Sequence, residues 1–111
     1  MSRHASGLKA WLLQRFSAVY IAAFGLYFLL ALLFSAPPSY EAWRDWLGSP
    51  LLSLALVIFF IAVVAHAWVG MRDVIVDYAK PLWLRLSLLT LVGVILLGSL
   101  SGAVMALLSV R

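Results

Sequence analysis

Residues 46–71 read WLGSPLLSLALVIFFIAVVAHAWVGM, 26 residues without a formal charge. A helix needs about 20 apolar residues to cross the hydrocarbon core of a bilayer. This run is long enough, and its one ionisable side chain is His66. An imidazole inside such a run costs free energy and needs a reason to be there. Just past the run come Arg72, Asp73, Asp77, Tyr78, Lys80 and Pro81. A potential metal ligand within the membrane is therefore followed by a polar, proton-handling patch at its surface.

Two further runs have the same form. Arg15 and Glu41 bracket 25 uncharged residues, and Arg85 and Arg111 bracket another 25. The 111-residue chain is 66% hydrophobic and 11% charged, with a mean hydropathy of +1.10. A soluble domain of this size could not hide so much apolar surface. Backbone groups in lipid must be paired within their own segment, so the runs are helices. The expected fold is an all-α membrane protein, one domain over 1–111, with transmembrane helices near 16–34, 51–71 and 86–110. A signal peptide is the rival reading of the N-terminal third. Its apolar stretch is too long for that, and no small-x-small cleavage pattern precedes Pro37.

The net charge of +4 does not point to nucleic acid, because the basic residues sit at the helix ends. Arg3, Lys9 and Arg15 precede the first span, and Arg72, Lys80 and Arg85 lie between the second and third. The first connection holds only Arg44, and the C-terminus only Arg111. Positive residues stay on the cytoplasmic side, which puts the N-terminus in the cytoplasm and the C-terminus outside. The chain has no cysteine, so it brings neither disulfides nor thiolate ligands for iron–sulfur clusters.

The first connection opens with Pro37-Pro38 and closes with Gly48-Ser49-Pro50. Between them Tyr40, Trp43 and Trp46 are interspersed with Glu41, Arg44 and Asp45, the pattern of a short amphipathic interfacial helix or of an anchored loop. In the third span, Gly98 and Gly102, extended by Ala106, form a small-residue stripe that lets a second helix approach closely.

On a helix, Ala62 lies one turn before His66 and Gly70 one turn after. Small residues on that stripe give clearance for a flat macrocycle held by the imidazole, and haem is one use of an intramembrane histidine. A histidine that hydrogen-bonds a neighbouring helix is the alternative. One histidine cannot provide both axial ligands, and His4 is placed in an N-terminal tail. A haem would therefore be shared with another chain, in a hetero-oligomer or a symmetric homodimer. Asp73 and Asp77 continue the stripe of His66, and Tyr78 stands beside Asp77. A tyrosine hydroxyl can donate to a carbonyl oxygen while a nearby carboxylate orients it or relays a proton. Membrane-edge anchoring is the plainer use of the same residues. Tyr78 follows His66 by twelve residues, about 18 Å along a continuous helix. The chain is expected to turn sooner, bringing Tyr78 closer to a haem edge.

The segment His66-Ala67-Trp68-Val69-Gly70-Met71, then Asp77-Tyr78-Ala79-Lys80-Pro81 and Arg85, resembles the hydrophobic membrane-anchor subunits of succinate dehydrogenase (respiratory complex II), the cytochrome b small subunits. The resemblance implies that His66 is an axial ligand to the iron of haem b. It implies that Tyr78 hydrogen-bonds the quinone with Asp77 in support, and that Arg15 lies near the haem propionates. Arg72 and Lys9 carry the charge for such a propionate contact but match no motif.

The resemblance further implies a helical bundle sharing its haem with a second anchor, the cytochrome b large subunit. A flavoprotein with FAD and an iron–sulfur subunit with its clusters would oxidise succinate in the cytoplasm. This chain would be a non-catalytic anchor in electron transport, serving both the respiratory chain and the tricarboxylic acid cycle. No transit-peptide pattern is visible, so a bacterial inner membrane is expected. A haem-b subunit of a hydrogenase or formate dehydrogenase usually has more transmembrane histidines. A proton-coupled transporter or pore would bury a carboxylate, whereas all four acids here lie outside the apolar runs.

Overall fold

The computed structural model describes residues 3–110, with side chains from residue 7 onward. Arg111, Met1 and Ser2 lie outside the described residues, as do the side chains of Arg3 and His4. Four helices follow one another: α1 (Arg3–Ser35), α2 (Tyr40–Gly48), α3 (Pro50–Tyr78) and α4 (Leu82–Ser109). Three are long and apolar enough to cross a membrane, over Gly7–Ser35, Pro50–Tyr78 and Leu82–Ser109. The protein is thus an all-α membrane protein with three spans. The molecule is elongated, 52 × 25 × 24 Å.

The helices outrun the apolar runs that announce them. α1 begins at Arg3 rather than near 16, α3 continues past Met71 to Tyr78, and α4 starts at Leu82 rather than near 86. A charged side chain marks where water begins, but it does not end the helical hydrogen-bond ladder. Long basic side chains can reach water while their backbone stays helical. Position 4 is accordingly in the first turn of α1 and not in a tail.

α3 is the central element. Its backbone runs close to those of both α1 and α4, whereas α1 and α4 approach each other only through side chains. Small residues set the close approaches. An added Cβ at Gly70 would lie 3.5 Å from Gln14 Nε2 on α1, and one at Gly93 on α4 would lie 3.7 Å from the Trp68 ring. Among the described residues, nothing lies within 4 Å of a Cβ added at Gly98 or Gly102, so neither glycine is the seat of a close helix approach.

At one end a core of Leu52, Leu56 and Leu107 is walled by Phe24, Phe28, Trp46, Leu47 and Phe60. The amphipathic helix expected in the first connection is α2. Ser39 caps it by accepting from Ala42 N–H at 3.1 Å. Trp46 stacks on Phe28 of α1, with ring centroids 5.2 Å apart and planes at 9°. Ser53 of α3 donates to the Leu47 carbonyl at 2.6 Å, closing the corner between α2 and α3.

The other corner is made by Arg85. Its guanidinium donates to the Ala79 and Val76 carbonyls, each at 3.2 Å. Those are last-turn carbonyls of α3 that lack helical partners, and a cation there also suits the negative end of the helix dipole. Pro81 then leads into α4, where it needs no N–H partner.

Candidate functional site

His66 lies near the middle of α3, partly buried and facing α1. Its Nδ1 is 3.1 Å from the hydroxyl oxygen of Ser17, a residue 49 positions away in sequence. Ser17 is only 6% exposed. Its Oγ also lies 3.1 Å from the Gln14 carbonyl oxygen, to which it donates. The Nε2 of His66 has no hydrogen-bond partner among the described residues. One ring nitrogen is therefore engaged inside the chain and the other is free, which is the state in which an imidazole can ligate a metal. No group of three or more His, Cys, Asp or Glu side chains converges among the described residues, so a metal here needs ligands from elsewhere.

The clearance expected beside His66 is shared out differently from the sequence reading. Gly70, one turn along, faces Gln14, so this small residue admits α1. The Oε1 of Gln14 is buried and has no partner among the described residues. Gln14 lines a cleft of ≈ 340 Å³ between α1 and α3, together with Gly7, Ala10, Trp11, Val69, Arg72 and Asp73.

The sequence-derived cations are divided by this geometry. Arg72 lines the cleft and also pairs with Asp73 at 3.3 Å, an exposed contact of small energetic weight. Arg15 does not line it. Its guanidinium carbon lies 5.3 Å from the centre of the Trp11 ring, a cation–π contact on the exposed side of α1. Lys9 is exposed.

Tyr78 is the last residue of α3 and 79% exposed. The helix does not turn before it, contrary to expectation. Tyr78 therefore stands about 18 Å along the axis from His66, and about 120° round the helix. Asp77 falls on the stripe of His66 but is exposed, and no hydrogen bond joins it to Tyr78 among the described residues. The structure thus brings Ser17, Gln14 and His66 together and leaves Asp77 and Tyr78 open at the membrane edge. Ser17 and Gln14 were not singled out by sequence reasoning. The signal for them exists only once α1 and α3 are known to pack antiparallel.

Residues 1–102 match the profile of the succinate dehydrogenase/fumarate reductase transmembrane subunit family. The chain belongs to that family. It is similar to the succinate dehydrogenase hydrophobic membrane anchor subunit of Coxiella burnetii, with 30% identity over 92 residues, covering 83% of this chain and 80% of the relative. Membership makes it a multi-pass transmembrane subunit that works in association with other subunits. It accounts for a surface in which large apolar side chains on every span are exposed.

Proposed function

We propose that this chain is the membrane anchor of a succinate:quinone oxidoreductase, holding one side of a haem b and part of the quinone-reduction site. The N-terminus and the α3–α4 corner face the cytoplasm of a bacterial cell, and the C-terminus faces the periplasm. A second anchor would supply the further histidine that a shared haem needs. A flavoprotein and an iron–sulfur subunit sit on the cytoplasmic end and carry out succinate oxidation, for which this chain has no residues.

One observation carries the reading. The lone ionisable side chain of the uncharged run 46–71 is held between two helices, with one ring nitrogen engaged and the other free among the described residues. In a family of respiratory anchors, that is the arrangement a haem ligand needs. When bound, the haem supplies a one-electron site within the membrane. The chain's own contribution is to fix the imidazole and to exclude water from it with α1. Arg72, Trp11 and Gln14, in the cleft one to two turns nearer the cytoplasm, are placed for the polar edge of such a group better than Arg15 is.

Tyr78 acts at a second place. Its exposed hydroxyl donates to a quinone carbonyl oxygen and stabilises the negative charge that grows there during reduction. Asp77, beside it, is positioned to pass protons from the cytoplasmic water.

The test is His66→Ala in the assembled complex. Low-spin haem b should be lost or greatly reduced in the optical and electron paramagnetic resonance spectra, and succinate should no longer reduce a haem-b band. An unchanged spectrum and haem stoichiometry would overturn the assignment. Quinone reductase activity alone is not the readout, because electrons can reach quinone without the haem.

A further inference from the structure

We infer that Ser17 is the positioning residue for His66: its hydroxyl, anchored on the Gln14 carbonyl, holds the hydrogen of the imidazole on Nδ1 and presents Nε2 as the ligating nitrogen. The inference rests on the haem reading of His66. It concerns which ring nitrogen is used and what holds it.

A serine hydroxyl has one hydrogen to donate and two lone pairs to accept with. Ser17 Oγ has two polar neighbours, the Gln14 carbonyl oxygen and His66 Nδ1, each at 3.1 Å. Suppose the hydroxyl donated to Nδ1. Its oxygen would then face the Gln14 carbonyl oxygen at 3.1 Å, acceptor against acceptor, with no hydrogen between them. Suppose instead it donates to the Gln14 carbonyl, as the geometry of that contact gives. A lone pair is then free to accept Nδ1–H, and both contacts are hydrogen bonds. Only the second arrangement satisfies every group. It fixes the tautomer in which Nε2 carries the lone pair.

Burial makes the choice firm. Ser17 is 6% exposed and sits in a membrane span, so water does not compete for either contact. A serine within an apolar helix usually bonds its own backbone only. Here the same hydroxyl reaches across to α3 as well. A ligating histidine commonly donates its second N–H to such a partner, which fixes the ring and raises its basicity. Losing a partner of this kind typically lowers metal affinity by about 10- to 100-fold.

The sign of the effect on the haem follows. An imidazole that donates from Nδ1 is a stronger electron donor at Nε2 and favours the ferric form. Removing the acceptor lowers that preference, so the midpoint potential rises. A tenfold loss of ferric over ferrous preference is about 59 mV for one electron.

The experiment compares Ser17→Thr with Ser17→Val in the purified, complete complex. The two side chains have the same shape, and only threonine keeps the hydroxyl. Redox titration of haem b and its low-spin ferric resonance are the readouts. Ser17→Thr should match the wild type. Ser17→Val should give a higher potential, a shifted ferric signal and easier haem loss. Should Ser17→Val not assemble, Ser17→Cys takes its place, since it keeps the side-chain size with only weak hydrogen bonding. Equal potentials and equal ferric signals in the hydroxyl-bearing and hydroxyl-lacking variants would overturn the inference. His66→Ala in the same background separates the two levels. If it keeps its haem, the ligand assignment itself fails. If it loses haem while the Ser17 variants are indistinguishable, only the role of Ser17 fails.

Discussion

Replacing Tyr78 by phenylalanine tests the quinone-binding role proposed for it, because no other described residue engages the hydroxyl. The side chain is 79% exposed and its oxygen bonds no other described residue. Tyr78→Phe therefore breaks no internal contact, and assembly should be untouched. The residue is about 18 Å along α3 from His66, so the haem environment should be untouched as well. What is removed is one hydrogen bond to a quinone oxygen on which charge is developing. Such charge-assisted bonds are worth about 1.5–3 kcal/mol. At 1.36 kcal/mol per tenfold in rate, quinone reduction should slow by about ten- to a hundred-fold. The assay measures succinate-driven quinone reduction and reduction of a soluble dye that bypasses the membrane, in one preparation. The first should fall while the second and the haem spectrum stay at wild-type values. If the ratio of the two activities does not change, Tyr78 anchors the helix end at the interface and binds no quinone.

Two further predictions concern how the site is held. At Gly70 an added Cβ would make only an ordinary 3.5 Å contact with Gln14 Nε2, so Gly70→Ala should keep its haem. Gly70→Leu should push α1 away at a cost of about 1–3 kcal/mol, lengthen the contact between Ser17 and His66, and shift the haem spectrum. A wild-type spectrum for the leucine variant would mean that α1 does not hold the imidazole. Arg85→Met removes both bonds to the Val76 and Ala79 carbonyls and should lower the thermal stability of the complex, by about 1–2 kcal/mol given partial exposure. Unchanged thermal unfolding would show that Pro81 alone sets the corner.

The three spans were legible because charge is costly in lipid, so Arg15, Glu41, Asp45, Arg72 and Arg85 had to bracket their apolar runs. The helix ends were not legible by the same rule. Nothing about Arg72 or Asp73 stops an α-helix, and burial of Ile75 and Ala79 against the rest of the bundle continues α3 to Tyr78. His66 was legible as a candidate because it is alone in its uncharged run. Ser17 was not. A serine in an apolar run reads as filler, and its partner is 49 residues distant. Gly70 was read as a place of close approach, and Gln14 of α1 is the neighbour it meets within the chain. Helical periodicity shows which residues share a face, whereas only the packing shows that Gln14 fills the space.

The continuity of α3 has a functional consequence. Had the chain turned after Met71, the imidazole and the tyrosine would have shared one pocket, and a change at either would have disturbed both. A helix unbroken to Tyr78 separates them by about 18 Å along the axis and by about 120° round it. His66 is set by α1 through Ser17, inside the bundle. The end of α3 that carries Tyr78 is set by α4 through Arg85, whose bonds are to backbone carbonyls and leave the Tyr78 hydroxyl unengaged. Each side chain thus has its own support, one from α1 and the other from α4. Sites this far apart with no shared partner behave as nearly independent. One span can therefore present a partly buried imidazole held against α1 and an open hydroxyl at its end.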